Sequence, residues 1–295
     1  MTTTTKTQSK PSLVKISKAV KSIVSTNEKL QKTPYGETII NVGISLAPSA
    51  RSKVGNVCQY ATAGCILACV LWFGGRTVTS VVRLAAINRT ILFLMWPLVF
   101  YARLHLELIA LIKQGKKLGS RIFFRPNIAS DIRHESELCH AYPIITFYDY
   151  TKDYQKAIEY GFGMLPTNYH ASFSVSESTS WQQAFNLNQL GVNLVVPFDS
   201  YYIGNLHRYG VLPESVTFRG PQGQQFTCKV VDGDIHDIRT PEFDGIGNCV
   251  ALRAKGSKAS RLKGLSKGFI RHFAGGSKWH VNEYVCNGSV VVNLL

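Results

Sequence analysis

Apolar residues in the first two thirds of the chain form short blocks, and each block ends in polar residues. Residues 38–46 alternate as a strand does, and 121–125, 144–148, 170–175 and 192–198 are short apolar runs. Segments with helical spacing lie between these runs. Strands that alternate with helices are typical of a parallel sheet covered by helices. We therefore predict an α/β domain, an incomplete or irregular TIM-like barrel with parallel strands.

The longest apolar stretch, 91–102, predicts buried helices rather than a membrane span. It has about half the length that a spanning helix needs, and Pro97 interrupts it. Proline is favoured in the first turn of a helix, so one helix is predicted over 78–94 and a second one from Pro97. The second helix should end within 113–119, which is rich in lysine and glycine.

The pattern changes after Asp199 to shorter strands, at 215–218, 225–231 and 249–254. This last third is predicted to be a β-rich extension. The predicted domains are a basic, partly flexible N-terminal lead (1–35), the barrel-like domain (36–200) and the β-rich, basic C-terminal extension (201–295).

Polar side chains follow the predicted parallel strands. Asp131 follows the second strand, Asp149 and Lys152 follow the third, and Glu177 follows the fourth. The functional residues of α/β barrels and open sheets collect at the carboxyl ends of the strands. These four residues are therefore the predicted catalytic group.

Three cysteines occupy one twelve-residue segment, as Cys58, Cys65 and Cys69, directly after the first strand. Thiolates at this density indicate one shared zinc or iron–sulfur centre, and three ligands leave a fourth position open for chemistry. The alternative is that they are small buried residues, because free cysteine packs as a small hydrophobe. His140 is a candidate fourth zinc ligand. The other cysteines are scattered singly: Cys139, Cys228, Cys249 and Cys286.

The net charge of +15 is concentrated at the two ends of the chain. Lys15, Lys18 and Lys21 follow a helical spacing, and 253–278 contains eight Lys or Arg and no acid. Such charge favours a nucleic-acid partner, with solubility as the alternative, and an anionic membrane surface is a further alternative for the N-terminal helix. The predicted phosphate-binding residues are Lys255, Lys258, Arg261, Lys263, Lys267 and Arg271.

The sequence lacks the motifs of several common classes of enzyme. It has no Gly-x4-Gly-Lys-Ser/Thr phosphate loop and no Gly-x-Ser-x-Gly nucleophile elbow. Asp232, Asp234 and Asp237 could bind magnesium, although a solvated turn is the commoner role for such a cluster. The absence of an export signal and the odd number of cysteines favour a reducing cytosol.

The motifs together resemble the phage gene product 88 domain family over about 38–256. The resemblance is carried by Leu46-Ala-Pro-Ser, the spacing Cys-x6-Cys-x3-Cys, Arg89, the 125–133 block, the Tyr-Thr-Lys element at 150–152 and the segment 249–256. That family is similar in turn to radical S-adenosylmethionine barrels, in which cysteines are spaced Cys-x3-Cys-x2-Cys. The wider spacing of this chain argues against the radical reaction more than it argues against a metal.

The resemblance implies an iron–sulfur enzyme, with S-adenosylmethionine as a further cofactor, that acts on a nucleotide or nucleic acid. The alternative is a basic nucleic-acid-binding phage protein without catalytic activity, in which zinc only stabilises the fold. The sequence does not define the substrate or the oligomeric state.

Overall fold

The computed structural model describes residues 11–27, 30–34, 36, 38–73, 79–199, 201–203, 206–208, 212–271, 285–286 and 289–295. The strands are β1 (Val24–Ser25), β2 (Ile39–Ile44), β3 (Arg121–Arg125), β4 (Thr146–Thr151), β5 (Tyr169–Ser174), β6 (Leu194–Phe198), β7 (Tyr201–Ile203), β8 (Leu206–Arg208), β9 (Ser215–Arg219), β10 (Gln225–Asp232), β11 (Cys249–Arg253), β12 (Val285–Cys286) and β13 (Ser289–Asn293). The helices are α1 (Leu13–Ala19), α2 (Ala63–Leu67), α3 (Val70–Phe73), α4 (Ser80–Met95), α5 (Pro97–Leu118), α6 (Glu135–Ala141), α7 (Tyr154–Gly161), α8 (Trp181–Gln189), α9 (Pro241–Asp244) and α10 (Lys258–Ser266).

Most of these strands form one open sheet, in the order β1-β2-β3-β4-β5-β6-β11-β10-β9-β13-β12. Neighbours from β2 to β10 in that order are parallel, which confirms the predicted parallel α/β architecture. The sheet is not closed into a barrel. Its order continues beyond β6 into β11 and β10 instead of returning to β2, so β1 and β12 remain as separate edges.

The β-rich last third of the chain extends this same sheet. β11 pairs in parallel with β6, and β9 pairs antiparallel with β10. The sheet therefore continues across the domain boundary predicted near residue 200. A separate two-stranded sheet is formed by β7 and β8.

The two long helices begin and end close to their predicted positions. Pro97 occupies the first turn of α5, and Gly119, with φ 63°, ends that helix in the left-handed conformation that glycine adopts without a steric penalty. Leu104 and Leu108 on its inner face are fully buried. Among the described residues no single helix is long and apolar enough to cross a membrane, and α4 and α5 pass that test only as a pair bent by 119°.

Both faces of the sheet are buried, which explains why the strands read as continuous apolar runs. In β3, Ile122 and Phe124 pack with Leu104 and the rest of the inner face of α5. Phe123 between them points to the opposite face and packs with Tyr148. The period of two along a strand thus places neighbouring side chains in different cores.

The N-terminal segment is fixed to α5 by two charged side chains. Glu107 accepts hydrogen bonds from the backbone N–H groups of Ile23 and Val24, and Arg103 donates to the carbonyl of Ser17. Ile16 and Ile23 are buried. Residues 1–10, which belong to the lead predicted as partly flexible, lie outside the described residues.

Candidate functional site

The parallel strands bring the predicted catalytic residues to one edge of the sheet. Asp149 lies in the second half of β4, and Lys152 follows that strand. Asp131 follows β3, and Glu177 follows β5. The cysteine segment follows β2, which pairs in parallel with β3 and therefore ends at the same edge. This common edge was predicted from the sequence.

Glu177 holds the short cysteine helix α2 at its N-terminus. Its carboxylate accepts a hydrogen bond from the backbone N–H of Gly64 at 2.6 Å and one from the hydroxyl of Thr62 at 2.8 Å. Thr62 is the N-cap residue, and its hydroxyl accepts from the backbone N–H of Cys65 at 3.3 Å. Carboxylates stabilise a helix N-terminus, where backbone N–H groups lack partners. This contact makes Glu177 a positioning residue for the cysteine helix.

The basic segment of the chain also packs against α2. Ser260 of α10 donates to the carbonyl of Leu67 at 3.0 Å. A Cβ atom at Gly64 would lie 2.5 Å from the Cβ of Phe269, so only glycine permits this approach. The helix α10, which carries the predicted phosphate-binding residues Lys258, Arg261 and Lys263, therefore packs directly on the helix that carries Cys65.

The three thiols and Lys152 form one electrostatic cluster. Burial raises the pKa of the Cys58 thiol to about 12, with smaller contributions in the same direction from the neighbouring Cys69 and Cys65. Burial lowers the pKa of the Lys152 ammonium, but the charges of Cys65 and Asp131 and a hydrogen bond with Cys65 outweigh this, so that its pKa is raised. Lys152 thus supplies the positive charge that a set of thiolates requires.

The sulfurs do not share one centre in this conformation. The Cys58 Sγ donates a hydrogen bond to the carbonyl of Ala129 at 3.0 Å, while Cys65 bonds to Lys152. Within the described ranges, no group of three or more His, Cys, Asp or Glu side chains is arranged to hold a metal ion. The three cysteines are half-buried and outside any disulfide, so the donor set itself suits a thiolate-bound metal.

The other candidate sulfur and nitrogen ligands lie elsewhere. Cys139, Cys228 and Cys249 are buried in the cores, and the side chain of Cys286 lies outside the described residues. His140 is exposed at the end of α6, just before β4 begins, and so lies toward the opposite edge of the sheet. Its role as a fourth ligand to the trio is not supported by this position.

Asp131 organises the turn that carries Lys152. Its carboxylate accepts hydrogen bonds from the Thr151 hydroxyl at 2.8 Å and from the backbone N–H of Lys152 at 2.7 Å. Burial raises the pKa of Asp131. The residue holds the lysine backbone in place and adds negative charge beside its ammonium group.

Asp149 is the acceptor at the centre of a buried network. It accepts from the backbone N–H and the side-chain amide of Asn127, both at 2.9 Å, and from the Tyr169 hydroxyl at 3.1 Å. The Lys156 ammonium lies 3.4 Å away, and both charged side chains are almost fully buried. This network fixes the loop after β3, so the structure supports a structural role for Asp149.

The predicted phosphate-binding residues differ in their exposure and in their partners. Arg261 is buried and pairs with Asp199 at 3.0 Å, so it is not available to a phosphate backbone. Lys255 pairs with Asp234 at 2.9 Å. The backbone of Arg271 bonds to β6 and to Asp199. The side chains of Lys258, Lys263 and Lys267 are exposed.

The carboxylates considered for magnesium are bound to basic side chains. Asp232 accepts two hydrogen bonds from Arg253, at 2.8 and 2.9 Å. Asp237 is fully buried and accepts two from Arg125, at 3.1 and 3.0 Å. No local sequence pattern marks this last pair, because 112 residues separate its members.

His134 is a further buried residue that no sequence pattern marks. It is fully buried, its Nδ1 lies 3.0 Å from the Tyr101 hydroxyl, and its Nε2 has no hydrogen-bond partner among the described residues. Burial lowers its pKa to about 4, although the charge of Asp149 opposes this shift. The folded protein therefore holds a neutral imidazole next to the Asp149 network.

This histidine should make the fold sensitive to acid. In the unfolded chain a histidine binds its proton near pH 6.5. The contribution of neutral His134 to the free energy of unfolding is therefore fully present above that pH and is lost as the pH falls toward 4. The loss from His134 should approach about 3 kcal/mol. We expect urea unfolding at pH 7 and pH 4.5 to show a smaller difference for His134→Gln than for the wild type. The exposed His140→Gln should keep the wild-type difference, and an equal difference in all three proteins would contradict the prediction.

The comparison with known families agrees with the resemblance found in the sequence. The family model described as Gene product 88 matches residues 17–271, and the chain therefore belongs to the gene product 88 family. No curated protein and no solved structure matches the chain. The similarity to radical S-adenosylmethionine proteins stays a prediction.

Proposed function

We propose that this protein is an iron–sulfur enzyme whose reaction centre is formed by Cys58, Cys65 and Cys69. The observation that carries the proposal is the cluster of three thiols, none of them in a disulfide, and one ammonium group at the carboxyl edge of a parallel sheet. Ligands and substrates of open α/β sheets bind at that edge. Three thiolates would leave one iron of a four-iron cluster open, and such a cluster supplies one-electron chemistry.

The remaining residues of the edge would prepare the cysteines for this role. Glu177 holds α2 through Thr62 and Gly64, which fixes the direction of Cys65. Lys152 balances the negative charge of the thiolates, and Asp131 holds the backbone of Lys152. Because burial keeps Cys58 protonated, loading must release its proton, and metal uptake should become more favourable as the pH rises.

The substrate in this proposal is a nucleotide or nucleic acid. The net charge of +15 supports an acidic partner, and α10, with exposed Lys258 and Lys263, packs beside the cysteine helix. A substrate drawn to these lysines would lie close to the thiols.

Anaerobic reconstitution with iron and sulfide tests the proposal. We expect a brown protein with broad visible absorbance and with iron and sulfide in stoichiometric amounts. A colourless protein with one zinc would favour the non-catalytic alternative, in which the metal only stabilises the fold. A colourless, metal-free protein that remains folded would overturn both.

A further inference from the structure

Two arginines share one tryptophan ring next to the cysteine segment. The guanidinium carbon of Arg51 lies 5.3 Å from the centre of the Trp72 ring, and that of Arg83 lies 4.9 Å from it. Arg51 also lies 5.7 Å from the centre of the Phe73 ring. Each contact is within the range of a cation–π interaction. The Trp72 ring thus contacts two guanidinium groups.

No carboxylate offsets these charges in the described part of the chain. Neither Arg51 nor Arg83 takes part in an ion pair there, and the sequence has no Asp or Glu between Glu37 and Glu107. Several other arginines of the described ranges do pair with a carboxylate, among them Arg121, Arg125, Arg133, Arg239, Arg253 and Arg261. Two like charges on one ring repel each other, so an external anion would stabilise this arrangement.

The backbone around the two arginines is held in a fixed form. Arg83 donates to the carbonyl of Trp72 at 2.9 Å, which ties α4 to α3. Arg51 lies in a turn between Ser49 and Lys53, and these two residues have φ values of 53° and 64°. Left-handed backbone at residues other than glycine carries a cost that recurs at ligand-binding loops.

This cluster adjoins the proposed reaction centre. The backbone N–H groups of Trp72 and Phe73 both donate to the carbonyl of Cys69, at 3.1 and 2.8 Å. The aromatic residues of this cluster are therefore joined to the third cysteine of the trio through one helical turn.

We propose that Arg51, Arg83 and Trp72 form a phosphate-binding subsite for the substrate of this protein. Guanidinium groups match the geometry of phosphate oxygens and bind them through charge-assisted hydrogen bonds. The neighbouring aromatic rings suit a base attached to that phosphate. The role as a substrate subsite rests on the proposed function, whereas the binding of phosphate itself does not.

Binding measurements on the full chain, without metal reconstitution, test the subsite. The probes are inorganic pyrophosphate, a nucleoside triphosphate and a fluorescent single-stranded oligodeoxynucleotide, each titrated at low salt. We expect binding of at least one probe, and a loss of roughly tenfold or more in affinity for Arg51→Glu and for Arg83→Ala. Binding of the triphosphate would assign the phosphate to a free nucleotide, and binding of the oligonucleotide alone would assign it to a strand.

Arg121→Glu is the control, because Arg121 is an exposed arginine at the start of β3 that pairs with Glu242. It changes the net charge as much as Arg51→Glu does, so it measures the effect of net charge alone. It should leave the affinity within about twofold of the wild-type value. Arg51 is exposed, so its replacement should preserve the fold. The subsite is overturned if no probe binds, if both variants bind as the wild type does, or if Arg121→Glu weakens binding equally. Loss of the subsite with intact cluster formation would leave the proposed function standing.

Discussion

Replacement of Asp237 by alanine should lower the free energy of unfolding by about 3–5 kcal/mol. Asp237 is fully buried, and it accepts two hydrogen bonds from Arg125 and one from the Tyr148 hydroxyl at 3.0 Å. The Arg125 side chain is only 10% exposed. Without Asp237 a guanidinium ion would remain in the interior without its counter-ion, and water could not replace the lost interaction.

The same strand offers a matched control. Arg121 begins β3 and Arg125 ends it, and each pairs with a carboxylate. The Arg121–Glu242 pair is about half exposed, so Glu242→Ala should cost at most about 1 kcal/mol. Urea unfolding of the two variants and the wild type measures both effects. Equal losses in the two variants would show that burial does not govern these pairs.

The loss of Asp237 should also affect the loop that leads to the site. Arg125 donates to the carbonyls of Asn127 and Ile128, at 3.2 and 3.3 Å, and so holds the chain that continues to Asp131. The buried pair is therefore part of the support for the carboxyl edge of the sheet.

The second large effect is expected at the cysteines. A cluster held by three thiolates has no spare protein ligand, so the loss of one thiolate removes a third of its attachment. Replacement of Cys58, Cys65 or Cys69 by alanine should therefore abolish most iron binding. The fold should survive, because all three residues are only half-buried; Cys58 packs against one core but is not among its buried residues.

The strands and their direction could be predicted from the sequence because each strand is a short apolar run with a polar end. The position of the cysteine segment followed from that direction. The open form of the sheet could not be predicted, because it depends on where β11 and β10 join. They lie beyond β6, and no local pattern in 225–253 distinguishes that position from another.

The roles of single charged residues were harder to predict than their location. Glu177 was expected to act in catalysis, yet its carboxylate caps α2. Arg261 was expected to face a phosphate backbone, yet it is buried against Asp199. Both contacts join residues more than sixty positions apart, at separations of 113 and 62. Sequence patterns report periodicity and composition within one segment and contain no signal for such pairs.

Iron content per chain after anaerobic reconstitution, compared among single cysteine variants, tests the proposed reaction centre most directly. Cys228→Ala is the control, because this cysteine is buried in the core formed with β9 and β10, away from the trio. The account predicts that Cys58→Ala, Cys65→Ala and Cys69→Ala each lose most of their iron, while Cys228→Ala retains the wild-type amount. Equal iron in all four variants, or none in the wild type, would contradict it.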